Sequence, residues 1–311
     1  MEELECELME KTLDKIYLNN VLNPYNKSKK IIDLHTHTKY SGGELSPYEL
    51  VRLGVDKKIG VLAITDNDTI DGLKNLNRNE RIIVDTGIKI INGIQLSAKL
   101  QSKELHILGY KIDINNQLLN KKLEEIKDNN INSVLTLLEQ IKKDYDIKFN
   151  YEDLRKLFIT NHNVSSLDMA KLCVKNNYAY SIEEAYNRYL NEAKKKTIQD
   201  RKKLQYEECI ELINQSGGIP VLAHPKSLRL TNKEFLIVLK EMIKYGLKGI
   251  EVYHPSHSKE DIKYYLDIAL KYNLLISGGS DFYGGSIKPD VQLGNNNIKK
   301  LTLLDKFDKI L

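Results

Sequence analysis

The sequence predicts an α/β fold, a parallel sheet covered by helices and interrupted by a helical block. Three observations predict it. Apolar runs of about four to six residues alternate with amphipathic helical segments, the pattern of strand–helix units. These runs fall in two stretches, 30–113 and 214–311, with glycine-rich or polar residues at their ends. Between them, residues 114–213 carry helical periodicity and no strand signal. At 311 residues the chain fits one large α/β barrel or two smaller units, with ample length for a buried core.

Residues 1–29 form an N-terminal extension. Within it Leu4, Leu8, Leu13, Ile16 and Tyr17 recur at helical spacing and predict a helix over 3–18 that packs on the barrel or pairs two copies of the chain. KIIDLHTHT is the first strand, ending in polar residues. SPYELVRLGVDKKI is a helix, with Ser46 as N-cap, Pro47 at the first helical position and Glu49 closing a capping box. GVLAITDND, IKIINGIQLSA and ELHILGYKID supply three more strands. After the helical block, GIPVLAHP, GIEVYHP and LLISGGSDF supply the last three, each followed by a helix or tail. In such sheets ligands bind beyond the carboxyl ends of the strands, and the helical block is placed to cap that face.

Composition removes several function classes. A surplus of 47 Lys+Arg over 43 Asp+Glu, net +4, is no electrostatic footprint for a long nucleic-acid track. Runs such as Lys194-Lys195-Lys196 and Arg201-Lys202-Lys203 read as solvated helix faces. Cys6, Cys173 and Cys209 are sparse and without a CxxC pair, which argues against a disulfide scaffold or a thiolate zinc site. No membrane span and no signal-peptide pattern are read, and the expected compartment is the cytoplasm. GxxxxGK[ST], GxGxxG and GxSxG are absent, so phosphate-loop, dinucleotide and serine-hydrolase readings lose support.

The histidines carry the functional signal. Six of seven lie at or near strand ends: His35, His37, His106, His224, His254 and His257, with Asp66, Asp68, Gln95, Glu251 and Asp281 in the same segments. Strand ends of a parallel barrel converge on one rim, and alternate residues share a face, so His35 and His37 can grip one ion. Imidazole with carboxylate suits Zn, Mn or Fe. His162, inside the helical block, reads as structural or solvent-exposed.

In order along the chain, DLHTHTKYSGGELSPYELV, AITDNDTIDGL, GIQLSA, HILGY, GGIPVLAHP, GIEVYHPSHS and SGGSDFYG resemble the PHP (polymerase and histidinol phosphatase) superfamily, most closely its nucleoside 3′,5′-bisphosphate phosphatase and 5′–3′ exoribonuclease branch. That resemblance implies a distorted (β/α)7 barrel with a helical insertion, a metal cluster at the strand ends, and phosphoester hydrolysis by metal-activated water. It implies His35, His37, His106, His224 and Asp281 as metal ligands. Gln95, in the place of the family's bridging glutamate, and Asp66 are further candidates. His254 and His257 are read as substrate or proton-transfer groups beside them.

Four positions depart from the family pattern: Gly42, Asn67, Gln95 and Tyr283 replace ligand residues. Three of them, Gly42, Asn67 and Tyr283, belong together to one family metal, so the expectation is one or two divalent ions (Mn, Fe or Zn) and the loss of the third. In the insertion, Ser166-Leu167-Asp168-Met169-Ala170 stands where the family has an RPHIA-like segment. Two function classes follow. One is a metal-dependent phosphoesterase acting on a small phosphorylated substrate or a short nucleic-acid end. The other is a catalytically degenerate PHP-fold protein with a regulatory, binding or structural role.

Overall fold

The computed structural model describes residues 31–77, 86–101, 103–160, 164, 166–197 and 203–294. The expected N-terminal helix, the C-terminal tail, Cys6 and His162 lie outside the described residues. All seven anticipated strand segments form strands: β1 (Ile31–Asp33), β2 (Ile59–Ile64), β3 (Lys89–Leu100), β4 (Lys103–Tyr110), and, beyond the helical block, β6 (Ile219–Leu222), β7 (Gly249–Tyr253) and β8 (Leu275–Gly278). A further two-residue strand, β5 (Leu204–Gln205), pairs with β3, where helix alone was expected. It is too short for periodicity to register.

The strands form one sheet in the order β1-β2-β3-β4-β6-β7-β8, with two corrections to a closed parallel barrel. First, β4 runs antiparallel to both neighbours, β3 and β6. A buried apolar strand reads alike in either direction, so hydropathy does not report this. Second, the sheet is not closed: no ladder joins β1 to β8 among the described residues. Instead the chain beyond each strand crosses the seam. Leu34 N–H donates to Gly278 O, Asp281 N–H to His35 O and His37 N–H to Phe282 O, at 2.9 to 3.2 Å. The buried Asp33 carboxylate adds bonds from Ser280 N–H, Ser280 Oγ–H and Gly294 N–H.

Helix α1 (Pro47–Asp56) starts as its sequence dictates, with Ser46 accepting from Glu49 N–H and the Glu49 carboxylate accepting from Ser46 N–H. With α2 (Asp71–Asn77), α8 (Tyr206–Gln215), α9 (Asn232–Lys244) and α10 (Lys259–Lys271) it covers the sheet. The main core contains Leu34, Leu62, Ile94, Ile107, Ile213 and Ile276, all fully buried. A second core lies in the helical block. It is built by the far end of α3 (Gln117–Tyr145), α5 (Ser166–Lys175), α6 (Ile182–Ala185) and α7 (Asn191–Thr197), with a π-helical turn at Tyr186–Leu190. α4 (Tyr151–Thr160) packs at its edge. The near end of α3 contributes Leu119 and Leu123 to the main core, so one helix spans both. No described helix is long and apolar enough to cross a membrane.

Candidate metal centre

The β1 strand ends at Asp33, and the two histidines of the H-x-H pair follow it with Thr36 bridging to Phe282 across the seam. Asp281, held at a left-handed φ of 53°, comes from the other side. Gly279 makes the approach possible, since a Cβ there would meet His35 Cβ at 2.2 Å. His35 and His37 are fully buried. His35 Nε2 lies 3.5 Å and His37 Nε2 3.2 Å from Asp281 Oδ1, while His254 Nε2 lies 3.6 Å from Oδ2.

All six predicted histidines are brought together. Ring centroids run from His37 to His35 (5.2 Å), His35 to His224 (5.8 Å), His224 to His106 (5.1 Å), His224 to His254 (5.2 Å) and His254 to His257 (5.5 Å). His106 Nδ1 is 3.2 Å from His224 Nε2. His224 Nδ1 meets Ser227 Oγ at 3.0 Å.

Proton accounting assigns four of the ring tautomers from their hydrogen-bond partners. The hydroxyls of Thr38 and Ser41 both donate to Asp66, at 2.7 Å each, and Thr38 N–H donates to the same carboxylate. Ser41 Oγ therefore accepts from His37 Nδ1–H (3.3 Å), and His37 turns a bare Nε2 toward Asp281. His35 Nδ1–H donates to Glu251 Oε1 at 2.9 Å, so in the neutral ring its Nε2 is bare as well. His254 is the opposite case. Its Nδ1 accepts from Ser256 N–H (3.1 Å), which leaves the proton on Nε2. His257 donates from Nδ1 to Val252 O at 2.8 Å and packs on Tyr265.

Two bare imidazole nitrogens against one carboxylate oxygen repel unless a cation, a proton on His35 or a metal ion, lies among them. His35, His37 and His254 Nε2 are all buried without a hydrogen-bond partner, a vacancy that buried polar atoms do not ordinarily tolerate. The donor set His35, His37 and Asp281 therefore fits a divalent cation; so does His35, Glu251 and His254 by distance. In the latter both Glu251 oxygens are engaged, by His35 and by His224 N–H (2.7 Å), so Glu251 orients the ring rather than offering a free ligand.

The electrostatics separate the two rings: His37 is neutral, and His35 is the ring that gives up a proton to a metal. Burial alone would lower His35, yet Glu251 and Asp281 together hold it above the ordinary imidazole value. His37 is driven down to about 4 by burial and is neutral at working pH. Burial, then the neighbouring His106, pushes His224 well down. Against burial, which opposes it, His35, then His254, His37 and Lys288 beside it, hold Asp281 well below the usual carboxylate range.

The remaining predicted positions have other partners. Asp66 spends both oxygens on Thr38 and Ser41, and so acts on His37 through Ser41. Gln95 Nε2 donates to Asn67 Oδ1, Asn67 Nδ2 donates to Tyr283 Oη (2.6 Å), and Tyr283 stacks on His37 at 4.0 Å. Gln95 Oε1 is left buried and unpartnered. Gly42 O accepts from Lys171 Nζ of α5 at 2.7 Å.

Two residues were missed as site residues. Glu251, fully buried in an apolar strand, was noted only as a spare carboxylate; a charge amid GIEVY was its signal. Lys288, bonded to Asp281 Oδ2 at 2.5 Å, sits in a Gly/Pro-rich loop that carries no signal.

A cavity of about 510 Å³ opens beside the cluster, lined by Asn67, His106 and Tyr283 on the barrel side and Ser166, Tyr186 and Lys194 on the helical block. Lys194, the first residue of a run read as solvated, is half-buried there and lies 4.7 Å over the Tyr186 ring.

Known proteins share this framework. The chain is 28% identical to the 5′-3′ exoribonuclease Rnm of Escherichia coli strain K12 over 253 residues, covering 81% of this chain and 85% of that protein. It is 24% identical to the 3′,5′-nucleoside bisphosphate phosphatase of Chromobacterium violaceum, covering 81% and 87%. A Bifidobacterium adolescentis structure assigned as a metal-dependent phosphoesterase superposes with a TM-score of 0.76 at 25% identity, covering 91% and 96%. The model of the PHP domain matches residues 33–275, most of the chain and every segment that builds the histidine cluster. The chain belongs to the PHP domain family.

Proposed function

We propose that the chain is a metal-dependent phosphoesterase acting on a nucleotide or other small phosphoester, the end of a short nucleic-acid strand included. The observation that carries this is the convergence of bare, unpartnered imidazole nitrogens on Asp281 inside a PHP framework. The names of the relatives, an exoribonuclease and a nucleotide phosphatase, support the substrate class.

In this reading His35, His37 and Asp281 hold one divalent ion, Mn, Fe or Zn. His106 and His224 serve a second, with the unpartnered Gln95 Oε1 as a neutral ligand. The complement stops at one or two. The neutral chain Gln95–Asn67–Tyr283 supports this, because it offers no carboxylate for a third ion. A bound dication supplies Lewis-acid charge and an activated water. The protein's own groups do the rest. Glu251 and the Asp66–Ser41 pair fix two ring orientations. His254, with its proton on Nε2, is the donor to the leaving oxygen, and His257 backs it.

The test is purification without chelator, elemental analysis for Mn, Fe and Zn, and assay of phosphomonoesters and phosphodiesters. Bound metal, with turnover abolished in His35→Ala and Asp281→Ala, supports the reading. A protein that retains no metal after Mn or Zn incubation and turns nothing over is instead the non-catalytic PHP-fold protein.

A further inference from the structure

Asp281 divides its two oxygens between two kinds of neighbour. Oδ1 faces the bare nitrogens of His35 and His37. Oδ2 receives Lys288 Nζ at 2.5 Å, and the same ammonium reaches Asp281 O at 3.4 Å. Lys288 Nζ also lies 4.4 Å from the centre of the Tyr283 ring, which stacks on His37. Lys288, Tyr283 and Asn67 all line the cavity.

This flank of the site holds little negative charge to keep a metal ion. Asp66 spends its oxygens on Thr38 and Ser41, and Asp68 accepts from Ser97 N–H at 2.8 Å. Asn67, Gln95 and Tyr283 are neutral and bonded to one another. The positive charge bonded to Asp281 is an ammonium on a tether. An ammonium has three N–H donors in a fan. Among the described residues Asp281 and the Tyr283 face are the partners of Lys288, whose side chain is 38% exposed. The part of the fan not turned to Asp281 is open to the cavity.

We infer that Lys288 anchors the phosphoryl group of the substrate: a fixed cation on the Oδ2 side of Asp281 that donates to a non-bridging phosphoryl oxygen. The inference rests on the phosphoesterase reading above. It gives that reading a substrate contact which the metal-facing His35 and His37 do not provide, since their Nε2 atoms are turned to Asp281. It also couples the two halves of the site, because the carboxylate that Lys288 grips is the one the metal-facing histidines share.

Inorganic phosphate is the probe, titrated calorimetrically into Mn-loaded wild type, Lys288→Met and Lys288→Arg, with bound Mn measured on each protein. Loss of one charge-assisted hydrogen bond weakens phosphate binding about 10- to 100-fold in Lys288→Met. The expected Mn content is unchanged, and Lys288→Arg recovers most of the affinity. KM for a phosphoester rises in parallel. Phosphate affinity in Lys288→Met within about twofold of wild type overturns the inference and leaves the phosphoesterase reading standing. Loss of Mn from Lys288→Met also overturns it, making the lysine a support for Asp281 alone. Mn-loaded wild type that neither binds phosphate nor hydrolyses any phosphoester overturns both.

Discussion

Replacing Glu251 by Gln tests the proton accounting at its most buried point. Glu251 is fully buried and accepts twice, from His35 Nδ1–H at 2.9 Å and from His224 N–H at 2.7 Å. A carboxylate can do both, whereas a carboxamide has one oxygen. Whichever way Gln turns, its NH₂ group faces another N–H donor at hydrogen-bond distance. One charge-assisted bond is lost, worth about 1.5–3 kcal/mol, and one buried donor is left unpaired. The expected loss of stability is about 3 kcal/mol. It is read from urea midpoints at constant m-value. Because Glu251 also fixes the His35 ring, Mn affinity falls about 10- to 100-fold by calorimetry. The pH dependence has a definite sign. Against the opposing effect of burial, the charge and hydrogen bond of His35 pull Glu251 from its ordinary 4.5 to about 2. The wild-type advantage is therefore full above 4.5 and is lost as pH falls toward 2. An unchanged urea midpoint together with Mn affinity within about twofold of wild type would refute the assigned His35 tautomer.

Three further outcomes follow from the same geometry. His254→Gln keeps its metal but loses about 10²- to 10⁴-fold in kcat, because the ring carries its proton on Nε2; metal loss measured in the variant makes His254 a ligand instead. Mn affinity rises with pH through neutrality and binding releases a proton, since the raised His35 is protonated below its folded value while His37, at about 4, is already neutral. Calorimetry in two buffers of different ionisation heat counts that proton, and a count of zero contradicts the assignment. Gly279→Ala drives a Cβ to 2.4 Å from His35 N, a backbone atom that cannot yield, and costs about 3 kcal/mol or more. A melting temperature within about 2 °C of wild type would show the seam to be looser than described.

How much of this was legible follows from what each signal reports. Apolar runs with polar ends located every barrel strand but the two-residue β5, and the histidines near those ends met as a cluster because strand ends share a rim. The capping box of α1 was readable because Ser46 and Glu49 satisfy each other within one turn. The antiparallel β4 was not, because side-chain alternation is the same in both directions. Glu251 escaped because the reading weighed strand ends, while its carboxylate lies inside β7. Asp66 shows the converse. It stands at a strand end and looks like a ligand, but the hydroxyls of Thr38 and Ser41, remote in sequence, claim it. Lys288 depends on where the loop after β8 folds back, which no local pattern encodes.

The unsealed seam gives the bound ion a mechanical role. His35 and His37 follow the first strand of the barrel and Asp281 follows its last, and among the described residues a few backbone bonds and the Asp33 carboxylate hold those two edges together. An ion gripped from both sides is a rivet across the one line along which the sheet can part. Metal uptake then tightens the fold where it is weakest. The slowed exchange of amide hydrogens is expected at Leu34, His37 and Asp281 rather than across the continuous ladders of β2, β3 and β4.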